Sequence, residues 1–586
     1  MALLPRKDVV IVGYGAAAGP VSLELARAGQ SVVALEAGAH RTAATDFHRG
    51  SLDTLRWRTR REMIDGRRMA LTFRNAQSEV AAPWNGIYAM ASTVGGSSVH
   101  WSGQSWRFYA DDFRVKSALE ERYGRSGRLA HLRADHAALE DWPITYEEVE
   151  PFYEKVEYAL GIGGWPGNLG GRIRPVHPHE GNPYEAPRKR DFPYRPLRDN
   201  ATDLVFREGA LARGLQPFHV PTGVSMDGAW ASTEGVRRPG CTYCSFCTGF
   251  GCWNDSKTST LSALLPAAQQ LPHFELRPHC YVTRINHRDG RAVSVSYRNE
   301  NGVEHEQPGD VFILGAYSFQ NVRLLLHSGI DGNGQIGKYF INRATTNLHA
   351  IFGRRLLNGW NGPSVQRQGV DDYNGENAME QKLQLPPEQF FVRGAFIGSP
   401  SQRVPLESYD LHPPDVPSWG AAYKRFMSEN LNRYMGLQLL TEAMPYEDCT
   451  LDLDPNYSDE YGMPYCRVTR SVKQNERRMA HFIWDRAKEL VEAAGATKVW
   501  GERSATAIAS STHDLGGARM GTDPTKSATN RYGQLWSTPN LFVTGGALMP
   551  SLGGHNPTQT IWMLSYWLAD ALLQRKVRLD DSMAYT

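Results

Sequence analysis

Asp8-Val9-Val10-Ile11-Val12-Gly13-Tyr14-Gly15-Ala16-Ala17-Ala18-Gly19 decides how the rest of the chain is read. Val9 to Val12 form a short β-branched apolar run, as in a buried parallel strand, and end on a glycine turn. The segment from Gly13 to Gly19 fits G-x-G-x-x-G/A. In that pattern Gly13 makes the tight turn and Gly15 lets a pyrophosphate approach the backbone, while Ala18 or Gly19 allows close helix packing. A helix is expected over about residues 16–28, its N-terminus receiving negative charge, and a second strand over residues 31–35. Glu36 ends that strand about 20 residues past Gly15, where an acid binds ribose hydroxyls. A lone glycine motif is weak, but strand, helix, second strand and acid together predict a dinucleotide-binding βαβ unit.

At 586 residues the chain is too long for one hydrophobic core, so two or more lobes are expected. Its 64 Lys and Arg against 62 Asp and Glu argue against nucleic acid as the main partner. The local basic runs at residues 58–61 and 188–190 read as solvated surface. No apolar run is long enough to span a bilayer, so no direct membrane span is expected. The first seven residues lack the apolar core of a signal peptide, so a chain acting alone is expected in the cytoplasm.

Residues 108–198 are rich in Pro, Arg, Tyr and Trp and read as a covering excursion, with a helix at 146–160. Residues 274–313 read as hairpin strands turning at Asp289-Gly290 and Asn301-Gly302. Residues 356–454 are the least patterned and most aromatic, and an amphipathic helix is expected over about 472–494. The remainder returns to short strands, glycine turns and a closing helix at 558–574.

Cys241, Cys244, Cys247 and Cys252 form C-x2-C-x2-C-x4-C. Disulfides across such short loops are strained. Zinc sites usually separate two C-x2-C pairs by a dozen or more residues. The compact run is a ferredoxin-like way to wrap an iron–sulfur cluster. It departs from the bacterial ferredoxin pattern before its last Cys and lacks the following Pro, so [3Fe–4S] and [4Fe–4S] both stay open, with zinc as the alternative. Cys280, Cys449 and Cys466 read as buried thiols.

Three further segments are informative. One is Ser92-Thr93-Val94-Gly95-Gly96-Ser97-Ser98-Val99-His100-Trp101-Ser102-Gly103. The second is His513-Asp514-Leu515-Gly516-Gly517, and the third runs from Asn540-Leu541-Phe542-Val543-Thr544-Gly545-Gly546 to His555-Asn556-Pro557-Thr558. Together with the N-terminal fingerprint they resemble the glucose–methanol–choline oxidoreductase family. Within it they are most similar to the branch of pyranose oxidase and the FAD/Fe–S sugar dehydrogenases. The resemblance covers about residues 8–40, 90–108, 241–345 and 510–575 and is weak between them.

The resemblance implies an α/β fold: a Rossmann-like FAD-binding domain with an inserted α+β substrate domain. The FAD-binding segments are expected at 1–107, 199–345 and 506–586, with the covering excursion at 108–198 and the substrate domain at 346–505. It implies FAD bound by Gly13, Gly15, Ala18, Gly19 and Glu36 at the ADP half, with Gly95, Gly96, Ser102, Gly546 and Thr558 also at the cofactor. His100 matches the histidine that pyranose oxidase joins covalently to its flavin. Linkage does not follow from residue identity, and His100 otherwise packs beside the ring.

The family's catalytic pair falls on His513 and Asn556. His513 is expected to be the base, because imidazole titrates near neutral pH, and Asn556 to hold the substrate oxygen. Asn556 before Pro557 also reads as a helix N-cap. The implied reaction is hydride transfer from an alcohol carbon, on a carbohydrate substrate, to flavin N5. The cysteines then favour electrons leaving through an Fe–S cluster to a small subunit or cytochrome c. Such a subunit would also carry an export signal for both chains. An aromatic content of 10% suits a sugar site but equally a large core. The alternatives are a sugar oxidase with a structural metal and a non-catalytic electron carrier.

Overall fold

The computed structural model describes residues 2–47, 70–84, 90–173, 181–226, 231–360, 362–363, 365, 367–399, 411–504 and 512–579. β1 (Lys7–Val12), α1 (Gly19–Arg27) and β2 (Val32–Leu35) form the expected βαβ unit, with β1 and β2 parallel. Residues 9–12 are all buried because the strand is covered on both faces. β3 (Phe274–Arg277) adds to β2, and β4 (Glu304–Leu314) flanks β1 on the other side. α2 (Ser318–His327) follows β4. β5 (Thr538–Val543), from the far end of the chain, pairs with β4, and α3 (Thr558–Leu573) closes the fold. The parallel order is therefore β5–β4–β1–β2–β3.

α1 starts three residues later than expected. Residues 16–18 make a turn in which the Gly19 N–H already donates to the Gly15 carbonyl at 3.2 Å, and Pro20 sits in the first turn, where its missing N–H costs nothing. The hairpin strands Tyr281–Arg288 and Arg291–Arg298 turn at Asp289-Gly290, both left-handed (φ 49° and 73°), as a two-residue turn requires. Strand Phe274–Arg277 leaves this meander for the parallel sheet.

A second sheet runs Lys498–Gly501, Thr345–Ile351, Tyr434–Thr441, Ala395–Gly398, Gln368–Val370, Phe218–His219. Helices Gln474–Ala493 and Ala201–Ala212 pack on one face, burying Phe206, Met479 and Ile483 against Leu348, Leu437 and Leu439. Side chains alternate along a strand, so Asn347, His349 and Gln438 point the other way, into the main cavity.

Arg188 does not lie on the surface that residues 188–190 were expected to form. It is fully buried, donates twice to Glu157 (3.1 Å each), and stacks over Phe192. Arg107 grips the same carboxylate at 2.9 Å, and Gln559 of α3 donates to it at 3.1 Å. Glu157, on helix Tyr146–Leu160, thus ties the excursion to α3 beneath the cavity. Burial would raise its pKa, but the two guanidinium groups win and hold it at about 2. Its folded value is depressed, so its stabilisation is complete above the ordinary carboxylate value near 4.5 and is lost as pH falls toward 2. Glu157→Leu should lower unfolding free energy by about 3 kcal/mol, because two buried cations lose their shared carboxylate and keep only Glu150 and Glu185. Urea unfolding at pH 7 measures this; a loss below about 1 kcal/mol would show the triad to be dispensable.

Candidate active site

The C-terminal ends of β1, β2, β4 and β5 open on one cavity of about 490 Å³, lined by Val12 of β1, Leu35 of β2 and residues of the loops after all four strands. Gly13 has φ +84°, and a Cβ there would stand 2.8 Å from the Ala316 Cα, so the turn admits only glycine. A Cβ on Gly15 would meet only the Gly96 Cα at 3.8 Å and would otherwise fill the cavity itself. The two glycine segments meet here, with the Gly95 N–H donating to the Tyr14 carbonyl at 2.7 Å. Gly19 packs against Thr260, outside the sheet. Glu36 accepts from the N–H groups of Tyr14 and Gly38, both at 2.8 Å, which aims its carboxylate at the glycine turn.

His100, Ser102, Gly546, Asn556 and Thr558 all line this cavity, as does His513. The Ser102 hydroxyl donates to Gln104 Oε1 at 2.5 Å. α3 starts at Thr558 and Pro557 occupies the N-cap without a side-chain cap bond, so the expected capping by Asn556 is not made. The Asn556 amide is used elsewhere. Its oxygen accepts from Trp106 Nε1 at 3.1 Å, and its nitrogen lies 3.2 Å from His513 Nε2. The N-terminus of α3 still faces the cavity through Pro557, Thr558 and Ile561.

Arg343 stands behind His513, its Nε donating to His513 Nδ1 at 2.9 Å. Burial and then this cation push the His513 pKa well below the ordinary imidazole value. The expectation that His513 titrates near neutral pH does not hold in this environment. His555 stacks on Trp106 (centroids 4.3 Å apart) and lies 2.8 Å from Asp371 Oδ2, turned away from Asn556.

The family models described as GMC oxidoreductase match residues 129–345 and 445–565. The chain is 31% identical to the gluconate 2-dehydrogenase flavoprotein of Pantoea cypripedii, over 98% of this chain and 95% of that one. This chain belongs to the GMC oxidoreductase family. It is 26% identical to 2-methyl-1,2-propanediol dehydrogenase of Mycolicibacterium austroafricanum, over 97% of this chain and 96% of that one. It is 22% identical to the fructose dehydrogenase large subunit of Gluconobacter japonicus, over 97% of each. Pyridoxine 4-oxidase from Mesorbium loti shares the fold, with TM-score 0.58 at 14% identity over 97% of this chain and 99% of that one. As a GMC oxidoreductase it is an FAD-dependent enzyme acting on CH–OH groups.

The cavity fits FAD. Gly15 leaves the close approach a pyrophosphate needs, and the Thr544 hydroxyl is buried there with no hydrogen-bond partner among the described residues. The residues that would hold the ADP half are Gly13, Gly15 and Glu36; Gly95, Gly96, His100, Gly546 and Thr558 would flank the rest.

The cysteine loop of this GMC oxidoreductase lies against the same cavity. Thr248 and Gly249 line it, and the Gly249 N–H donates to the His100 carbonyl at 2.7 Å. Tyr243 and Ser245 adopt left-handed φ of 55° and 73°, a cost that non-glycine residues bear where the loop is held in shape. The four thiols are free, and among the described residues no three His, Cys, Asp or Glu side chains converge to hold a metal ion. Cys252 Sγ contacts Asn254, Ser256 and the Lys257 N–H, while Cys241 Sγ accepts from the Tyr243 N–H. Two buried cations stand beside the loop. Lys257 Nζ donates to the carbonyls of Trp101 (2.9 Å), Cys247 (2.5 Å) and Phe250 (2.9 Å), and burial pulls its pKa down to about 8. Arg238 donates to the carbonyls of Ser256 and Leu160, and burial pulls it down to about 10. Arg238 also feels the Asp255 carboxylate electrostatically. Burial pushes the Cys247 thiol up to about 12, against the pull of Lys257.

Sequence reading missed Arg343, Trp106 and the His349 face of the second sheet. The alternation of Thr345–Ile351 (Thr-Thr-Asn-Leu-His-Ala-Ile) was a signal for the last of these. Arg343 and Trp106 carry no motif.

Proposed function

We propose that this chain is a dehydrogenase of a sugar or sugar-like polyol, with a small subunit or cytochrome c as its electron acceptor. Bound FAD would supply the hydride acceptor, and Cys241, Cys244, Cys247 and Cys252 would hold an iron–sulfur cluster that would supply a one-electron relay. One observation supports this above the others: a single cavity has His513 and Asn556 on one wall and, on another, the residues that follow Cys247. The substrate side is walled by Asn347, His349, Gln438 and Tyr434 with Trp360, a polar and aromatic set suited to hydroxyls and sugar C–H faces. The relatives carry the names of dehydrogenases of a sugar acid, a sugar and a diol.

For the cluster, the support is cysteine spacing and electrostatics. Four thiolates close together need compensating charge, and two buried cations stand beside the loop, Lys257 and Arg238, the latter also facing Asp255. Lys257 also bridges the loop to Trp101, directly after His100. Among the described residues no helix is long and apolar enough to cross a membrane. The purified protein should be brown and contain iron and acid-labile sulfide. Stoichiometric zinc with rapid peroxide formation would instead establish a sugar oxidase.

His513 enters the reaction at the substrate hydroxyl in one of two roles. As the base expected from the sequence it would need a lone pair at Nε2. As a hydrogen-bond donor it would need a proton there, and the Arg343 contact favours the donor.

A further inference from the structure

We propose that Arg343 fixes the tautomer of His513, so that the ring meets the substrate as an Nε2–H donor and clamps the reacting oxygen together with the Asn556 N–H. The inference rests on the alcohol oxidation proposed above. Arg343 is fully buried, and each of its five N–H donors has an acceptor. Nε donates to His513 Nδ1 at 2.9 Å. Nη1 donates to the carbonyls of Thr441 (2.6 Å) and Gly554 (3.2 Å), and Nη2 to those of Gly553 (2.7 Å) and His555 (2.8 Å). This anchors the guanidinium to the backbone on both sides of the pair. A charged guanidinium has only donors; burial pulls Arg343 down to about 9, so at neutral pH it is still charged and Nδ1 can only accept. A neutral imidazole carries one N–H, which must then be on Nε2.

The other end of the array is fixed in the same way. Trp106 Nε1 can only donate, and it donates to Asn556 Oδ1, which turns the amide nitrogen toward His513. Two N–H groups therefore stand 3.2 Å apart on the cavity wall, and neither can accept from the other. An alcohol or alkoxide oxygen, with its lone pairs, can accept from both. This is an oxyanion site.

Placing a second proton on the ring would set an Nδ1–H against the Arg343 N–H. Burial and the Arg343 cation both oppose that second proton, and the nearby carboxylates are engaged by other donors. Asp514, the next residue, is bound by Tyr317 (2.6 Å) and Asn342 (2.5 Å), and Asp112 and Glu442 beyond Arg343 are bound by Arg393. The low pKa of His513 agrees with this arrangement. In the step that follows, the alcohol O–H bond breaks and its proton passes to water in the cavity. His513 and Asn556 hold the charge left on oxygen. The C–H bond breaks and its electron pair leaves with the hydrogen as hydride to the oxidised flavin that the cavity would hold, so the carbon becomes a carbonyl as the flavin gains two electrons. Arg343 is the positioning residue and touches no substrate atom.

The test compares His513→Gln with His513→Ala in the FAD-loaded protein, following anaerobic bleaching of flavin absorbance by sugar from pH 5 to 10. Gln keeps an N–H near the Nε2 position and has no basicity. His513→Gln should retain at least about a tenth of the wild-type rate where Ala loses about 10²-fold. The wild-type profile should show no enzyme ionisation between pH 5 and 8, and Arg343→Met should raise the His513 ionisation from its depressed position toward the ordinary imidazole value without reaching it, because burial remains. Gln as slow as Ala, with a wild-type limb between pH 6 and 8, would make His513 the base and overturn the proposal. Nitrogen-15 histidine NMR of the resting protein, assigned with His513→Gln, reads the tautomer without turnover. It should show the proton on Nε2, and a proton on Nδ1 would refute the inference even if every sugar tried proved inert. Sugars that all fail to bleach the flavin while NMR shows Nε2–H would count against the proposed activity alone.

Discussion

Replacing His513 with Ala should lower the rate of substrate-dependent flavin bleaching by about 10²-fold or more while FAD stays bound. Loss of a single oxyanion donor costs this much, and loss of a base costs a similar amount, so the prediction holds for either role. FAD retention is expected because His513 sits on the wall shared with Asn556, across the cavity from the Gly13–Gly15 turn and Glu36. Asn556→Ala should also slow bleaching. Its stability cost should be about 1–3 kcal/mol: no cap is lost, but the buried Trp106 N–H loses its acceptor and the His513 contact goes. Near-normal anaerobic bleaching in His513→Ala would remove this residue from the chemistry.

The second large effect concerns the cysteines. Cys244→Ser should leave sugar-dependent bleaching mostly intact and abolish reduction of ferricyanide or a cytochrome, together with iron and sulfide content. The loop touches the cavity through Thr248 and Gly249, not through the His513–Asn556 wall, so substrate chemistry and onward transfer should separate in this variant. A variant that loses both steps equally while keeping its FAD would show that the thiols serve only to hold the fold. A variant indistinguishable from wild type in acceptor reduction would remove the relay.

The parallel layer was legible because its signals are local. The apolar run before Gly13, the left-handed turn and the acid after β2 each follow from one short stretch, and the structure joins them as expected. Helix ends were less legible: α1 starts three residues late, with Pro20 in its first turn, and the Asn556 side chain went to Trp106 and His513 instead of its own helix. Charge was read least well. Arg188, Arg107, Arg343, Lys257 and Arg238 look like ordinary surface cations in the sequence, yet all five are buried. Their partners are far away in the chain or are backbone carbonyls, neither of which leaves a pattern. The environment of His513 was lost for that reason: its identity was readable from the motif, but the cation at Nδ1 comes from a residue 170 positions away. The block at residues 356–454 hid strands Ala395–Gly398 and Tyr434–Thr441, because their partners also lie at long range.

The most direct test of the account is stopped-flow mixing of the purified, FAD-loaded protein with gluconate, glucose, fructose and a glucoside under nitrogen, followed by addition of ferricyanide or air-saturated buffer. The account predicts that at least one of these substrates bleaches the flavin, and that ferricyanide restores its colour far faster than dioxygen does. Flavin absorbance unchanged by all four, or reoxidation by dioxygen at a matching rate with peroxide released, would contradict it.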